Sequence, residues 1–406
     1  MSKRHEGGRA SLCVLCFLGV FCARPLGIPV AAAQEPTSPQ PVSAAQLKTA
    51  IDNLGKLDYA VRANASRIVR RTPAAQAVPA LLQAVAEHAD GYVRYRALVL
   101  LTAFNDPRTK DSMRASLTSP NDRLRSVAYS YFEHNPDRSL LPDFLQALEK
   151  EQGEFVRPSV VRAVAALGED PRVRQPLVRE AARGEDFFRS AVVEALGDFK
   201  ATYAYDALTA VAKLEGPLQD DAAIALGKIG DKRALETLAS LQRSAPRQTQ
   251  PSIAAAICLL GINCTSHENY LSETLKFSDK NIGFQEMLRS TAAGLGVIAI
   301  AGHPEAVDML VEVGIPSRDP ARAPIALALG TVALRNTPLM LAKLESLNGK
   351  PELEGTLALL AEGFDMLEED LDKERFFVLA RRTFWESADA SPRRALMQTL
   401  IGKLDF

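Results

Sequence analysis

The stretch Asp221-Ala-Ala-Ile-Ala-Leu-Gly-Lys-Ile-Gly-Asp-Lys-Arg-Ala-Leu-Glu-Thr-Leu238 decides the fold. An alanine-rich apolar run ends in Leu226-Gly227, Gly230-Asp231 supplies turn residues, and a second apolar run follows. Alanine and leucine favour helix, whereas glycine and aspartate punctuate it. The unit is therefore a helix, a tight acidic turn and a second helix. Outward from this stretch the same unit recurs. An apolar residue followed by arginine returns as Val61-Arg62, Val93-Arg94, Leu124-Arg125, Val156-Arg157 and Phe188-Arg189, with steps of 32, 31, 32 and 32 residues. Acidic turns return at Asp106, Asp137, Asp170, Asp198 and Asp231. Pro79, Pro142 and Pro176 mark the expected starts of second helices, where the first-turn N–H has no intrahelical partner. Alone, such a hairpin leaves an apolar stripe wet; stacked on its neighbours it buries that stripe. With no strand-like alternation of β-branched residues, the expected fold class is all-α, an α-solenoid of stacked helical hairpins.

At these residues the sequence resembles the HEAT-repeat family, in particular the short HEAT-like repeats of the phycobilisome lyase type. The resemblance is clear from residue 58 to about 245. Units at Leu288–Gly296 with His303-Pro304, and at Ala326–Gly330, look degenerate. Two departures stand out: Arg157 sits one helical turn early relative to its Leu-Gly pair, and Gln219 replaces the arginine in the sixth unit. The resemblance implies a right-handed superhelix and a structural ladder of arginines (Arg62, Arg94, Arg125, Arg157, Arg189) and turn aspartates (Asp106, Asp137, Asp170, Asp198, Asp231) along the repeat seams. Arg94 and Asp106 are expected to be seam residues. It also implies that second helices line the concave face. Binding residues are then expected at Arg114, Lys150, Arg179, Arg183, Lys213 and Arg243, with Gln83, Glu87 and Gln146 beside them. That set leans basic and would suit an acidic partner.

The chain of 406 residues is 47% apolar and 6% aromatic, with 48 Lys and Arg against 49 Asp and Glu. Such an apolar share excludes a disordered tail. Charge balance argues against a nucleic-acid coat, and scarce aromatics against base-stacking platforms. At the N-terminus, Lys3, Arg4 and Arg9 precede the apolar run Leu12–Ala23, and Ala31-Ala-Ala33 gives an Ala-x-Ala end. This is the layout of a secretory signal peptide, with cleavage expected after Ala33 and a periplasmic or secreted mature chain. The run is about half the ~20 residues that span hydrocarbon, so no membrane span is expected after cleavage. Cys22 follows Val20-Phe21, unlike a lipoprotein signal. The expected organisation is a signal peptide (1–33), a proline-rich linker (34–45), HEAT-like repeats (46–250) and degenerate repeats with a C-terminal cap (251–406). Phe376, Phe377, Phe384 and Trp385 are expected to seal that cap, with a partner anchor at Trp385 as the alternative.

Cys258 and Cys264 remain after signal removal. On one continuous helix their Cα atoms would stand ~9 Å apart, too far to bridge. Gly261 and Asn263 suggest that the chain turns back between them, which leaves free thiols and a small-loop disulfide both open. Catalytic chemistry is nearly silent. His88, His134, His267 and His303 are isolated in sequence, without zinc-ligand spacing, and Gly294-Leu-Gly296 lacks the strand of a dinucleotide site. No catalytic residue, cofactor or metal site is expected. The expected function is an exported, non-enzymatic scaffold for a protein or peptide, not for nucleic acid. The alternatives are a lyase-like accessory protein acting on a chromophore or protein substrate, and a structural tether of envelope components.

Overall fold

The computed structural model describes residues 35–406, so the signal region lies outside the described residues. These residues form 22 α-helices, joined by short turns and 3₁₀ segments, and no strand. The first helix, α1 (Ala44–Asn53), is followed by hairpins. These are α2 (Tyr59–Arg71) with α3 (Ala74–Glu87), α4 (Gly91–Leu101) with α5 (Arg108–Ser116), and α6 (Asp122–His134) with α7 (Leu141–Lys150). Next come α8 (Arg157–Ala165) with α9 (Arg174–Glu180), α10 (Asp186–Asp198) with α11 (Tyr205–Ala212), and α12 (Leu218–Lys228) with α13 (Ala234–Ser244). The series continues unbroken through α14 (Gln250–Leu259) with α15 (Cys264–Lys280), α16 (Gln285–Ile300) with α17 (Pro304–Gly314), and α18 (Arg322–Arg335) with α19 (Thr337–Ser346). Three helices end the chain: α20 (Glu352–Met366), α21 (Asp370–Glu386) and α22 (Pro392–Leu404). None of the described helices alone is long and apolar enough to cross a membrane.

Local chemistry sets the boundaries. Asp58, Asp90 and Asn121 cap α2, α4 and α6, each side chain accepting from a backbone N–H of the first turn. Pro142 occupies the first turn of α7 as expected, but Pro79 lies inside α3, which already starts after Pro73. The helix begins earlier because Pro73 itself supplies the start.

The two ranks of helices pack differently. First helices touch through small residues: a Cβ on Gly197 would meet the Cα of Ala225 at 2.9 Å, and one on Gly227 would meet the Cα of Ala256 at 2.6 Å. Gly330 lies against the backbone of Gly363 in the same way. Large buried side chains occur in both ranks, Phe132 on α6 and Phe144 on α7 among them, but second helices touch one another far less than first helices do. A rank that approaches closely beside one that does not bends the stack toward the small residues. The first helices therefore form the inner rank.

The bend brings the ends together. Helix α21 lies against α4 and α6. Arg70 of α2 and Glu374 of α21 form a buried bidentate pair, with N–O distances of 2.6 to 3.0 Å and exposures of 5% and 1%. Arg96 reaches Asp370 at 3.1 Å, Arg381 donates to the Arg70 carbonyl at 3.0 Å, and Arg67 pairs with Asp405. The 34–45 segment is not a free linker where it begins. Glu35 is buried against Arg71, its N–H donates to Gln398, and the Trp385 indole donates to the Pro36 carbonyl at 3.0 Å. The C-terminal aromatics thus seal a closed solenoid: Phe376 and Phe384 are buried, and Trp385 serves the closure.

Candidate functional site: the central cavity

Closure leaves a cavity of ≈ 600 Å³ lined by α6, α8, α10, α12, α16 and α18, together with Glu369. All of these helices are first helices. No second helix contributes, which corrects the expectation that second helices form the concave face. Arg179, Arg183, Lys150, Lys213 and Arg243 are exposed on or just beyond outer helices, as are Gln83 and Glu87. Arg179 is paired with Glu149 and Glu180, and Arg183 with Glu180. Arg114, Gln146 and Lys150 share a surface groove confined to two neighbouring units, where Arg114 also meets Asp137 at 3.0 Å. The structure does not bring this basic set together.

Two chains of charge cross the cavity wall. In one, Glu133 of α6 meets Arg162 of α8 at 2.8 Å, Arg162 meets Asp198 of α10 at 3.0 Å, and Asp198 meets Lys228 of α12 at 2.6 Å. Burial works against the Arg162 charge, but Glu133 and Asp198 outweigh it and hold it above the usual arginine range. Burial likewise opposes the Asp198 charge, yet Lys228 and Arg162 keep it below its ordinary value. In the other chain Arg335 of α18 pairs with Glu369 at 2.8 Å and Asp372 at 3.2 Å, and Asp372 lies 3.0 Å from the His134 ring. Asp372 is held low against its burial by His134 and Arg335, while burial pushes Glu369 up.

Two carboxylates stand apart from these chains. Glu194 of α10 is accessible to water, yet protein surrounds it, because it stands on the cavity wall. Burial, with Asp221 close by, raises its pKa. Asp221 of α12 is also raised by burial and accepts only the Ser190 hydroxyl, at 2.6 Å. Neither is in an ion pair among the described residues.

The ladder residues take structural positions. Arg94 Nε donates to the Val85 carbonyl at 2.7 Å, clasping the end of the preceding second helix. Arg62 donates to the Lys56 and Leu57 carbonyls and Arg125 to that of Ser119, in the turns before their own helices, and Arg189 donates to Ala181 at the end of α9. Gln219, which replaces arginine, makes the equivalent bond to Ala212 at 3.0 Å, and Arg322 extends the series to Gly314 and Ile315. Arg157 sits early in its unit and lies over the Phe188 ring, 3.5 Å from its centroid. The aspartates are not the partners of these arginines. Asp106 accepts from the backbone and guanidinium of Arg108, so of the two expected seam residues only Arg94 reaches across to a neighbouring helix. Asp170 and Asp231 hold Arg172 and Arg233 alike, and Asp137 holds Ser139 and Lys110. Asp198 belongs to the cavity. Its residue type matched the turn acids, but it is still within the helix and faces inward.

Arg162, Glu194, Lys228 and Arg335 were not singled out by pattern. Their signal was present, since each charge interrupts an alanine- or valine-rich first helix, but the interruption alone reads as a solvated position. Cys258 and Cys264 are joined as a disulfide, and the fold adds Glu268 and His303 beside them. His303 was isolated in sequence because it comes from the next unit.

Together these features define an all-α solenoid closed around a charged cavity. Two stretches of it match HEAT-repeat families: residues 47–133 match HEAT repeats, and residues 218–244 match the PBS lyase HEAT-like repeat. Among solved structures, the complex of CpcE and CpcF of phycocyanin lyase from Nostoc sp. PCC7120 is 19% identical, with 64% of this chain and 96% of that chain covered and a TM-score of 0.39. Kap121p bound to Ste12p is 16% identical, with 89% of this chain and 45% of that chain covered and a TM-score of 0.38. Human deoxyhypusine hydroxylase in complex with glycerol is 17% identical, with coverages of 53% and 84% and a TM-score of 0.29. Likenesses at this level say nothing about what this chain binds. No curated protein sequence matches it.

Proposed function

We propose that this chain is an exported, non-enzymatic HEAT-repeat scaffold that holds a protein or peptide, and that a lysine or arginine of the partner enters the central cavity. The observation that carries this reading is the pair Glu194 and Asp221. Both face the cavity, lack an ion-pair partner among the described residues and are raised by burial. An incoming cation would favour the charged form of both. A cavity of ≈ 600 Å³ suits a side chain or short segment, not a folded domain. The paired charges around it are already satisfied and would orient the segment more than attract it. Export rests on the basic, apolar and Ala-x-Ala order of the first 33 residues.

The test is a crosslinking pull-down from envelope material with the full chain as bait. A specific partner should be lost on Glu194→Gln with Asp221→Asn and kept on Arg179→Glu with Arg183→Glu. A partner that ignores the cavity pair, or follows the outer arginines, would overturn the reading. N-terminal sequencing of the exported chain should start at Gln34. The lyase-like alternative draws on the repeat match at residues 218–244 and requires a coloured adduct when a bilin is added.

A further inference from the structure

The corner between α14 and α15 gathers four metal-ligating side chains that the cavity does not use. Gly261 (φ +78°) and Asn263 (φ +46°) adopt left-handed backbone and reverse the chain. Cys264 thereby opens α15 beside Cys258 at the end of α14, their Cα atoms 4.2 Å apart. Glu268 follows four residues after Cys264 and so shares its helix face. The fourth group comes from the next unit. His303 stands at the start of α17, with Nδ1 3.0 Å from Glu268 Oε1 and 3.8 Å from Cys264 Sγ. All four ligating atoms lie within 4.8 Å of one another. In a tetrahedral zinc site with bonds of ~2.0–2.3 Å, ligand atoms are about 3.3–3.8 Å apart, so the widest separations here must shrink by about 1 Å while the two sulfurs, once their bond is reduced, part to about 3.8 Å.

A second observation points to a cation. Glu268 is only 9% exposed, and the one donor near its Oε1 is the His303 ring, 3.0 Å away but not aligned for a hydrogen bond. A dehydrated carboxylate oxygen with only a misaligned neighbour is costly, whereas a cation held between it and the imidazole would satisfy both. Two sulfurs, an imidazole and one carboxylate are too soft a set for calcium or magnesium and match zinc.

We propose that the reduced chain binds one zinc ion through Cys258, Cys264, Glu268 and His303, and that the Cys258–Cys264 disulfide is the alternative state of the same corner. The exchange balances with a dithiol reductant. Two electrons and two protons pass to the disulfide, giving two thiols, while the reductant becomes a disulfide. Zinc then displaces both thiol protons to solvent. The two states clasp different elements: the disulfide ties α14 to α15, whereas the metal adds α17 and so crosses a repeat seam.

The experiment uses the full chain, reduced with a phosphine, stripped by a chelator and titrated anaerobically with Zn²⁺ alone, then with Co²⁺ as the spectroscopic probe. The reduced chain should bind one equivalent and show a thiolate-to-cobalt band; the oxidised chain should do neither. His303→Ala and Glu268→Gln retain both cysteines, and their oxidised forms report whether each variant folds. Each should weaken zinc binding by about tenfold or more. No uptake by the reduced chain would overturn the proposal. So would variants that bind as tightly as the parent, since two thiols alone would then explain the uptake.

Discussion

The molecule is held by two kinds of seam that obey different physics. Between neighbouring repeats the joint is small and apolar, as where Gly227 meets Ala256 and Gly197 meets Ala225. Where the C-terminal helices meet the N-terminal repeats, the joint is dehydrated charge: Arg70, Arg71 and Arg381 against Glu35 and Glu374, all buried or nearly so. Burial depresses the Arg381 pKa to about 10, which still leaves it charged near neutral pH. Sequence neighbours are delivered to one another by the turn that joins them, so close packing is enough. Segments some 300 residues apart have no such delivery. There the register comes from charges that have no other partner once water is gone, and they tolerate the loss of a partner poorly.

The largest test removes one side of the closing seam. Glu374→Ala should cost about 3–5 kcal/mol in denaturant unfolding, because it strands Arg70 in a dry site. The double change Arg70→Met with Glu374→Leu should recover most of that loss. If the single variant costs no more than a surface pair, the seam is not dehydrated in solution. Next, Gly227→Ala pushes a methyl into Ala256 and should cost about 1–3 kcal/mol, whereas Gly283→Ala, with open space around it, should stay within about 0.5 kcal/mol. Equal effects would remove the case for close first-helix packing.

Asp220 complicates the contrast, as a half-buried acid at the seam of α12 and α14 whose Oδ1 is itself shielded and has no hydrogen-bond partner. Burial raises its pKa to about 6. A raised carboxyl binds its proton more tightly in the folded than in the unfolded chain. Its cost is therefore absent below the unfolded value of about 4 and complete above about pH 6. Asp220→Asn should raise the melting temperature near about pH 8, by up to about 2 kcal/mol in stability, and do little near about pH 4. A gain of the same size at both would dismiss the burial account. The smallest effects belong to the ladder. Arg94→Ala gives up its bond to the Val85 carbonyl and should cost about 1–2 kcal/mol. Arg183→Glu, on the outer surface, should change stability by less than about 0.5 kcal/mol.

The arginine ladder shows how far the pattern could be followed. Arg94, Arg125 and Arg189 lie where the repeat put them, and even the exception at Gln219 is chemically equivalent, because an amide N–H reaches the same carbonyl. The aspartate half of that ladder does not hold, since a turn acid accepts from the backbone N–H two residues on before it finds a neighbour's arginine. The concave face was misassigned although Gly197, Gly227 and Gly330 already marked the first helices as the rank that could approach most closely.

The sequence by itself determined the helical hairpin, its period, its caps and its stacking. All of these depend on residues within one unit or on the next unit along, where spacing is a faithful measure of proximity. Only the tertiary structure decided which rank faces inward, that the ends meet, that Glu194 and Asp221 share a cavity, and that His303 joins Cys258, Cys264 and Glu268. Small packing differences between the two ranks accumulate over many repeats into a closing curve, and no short window of residues carries their sum.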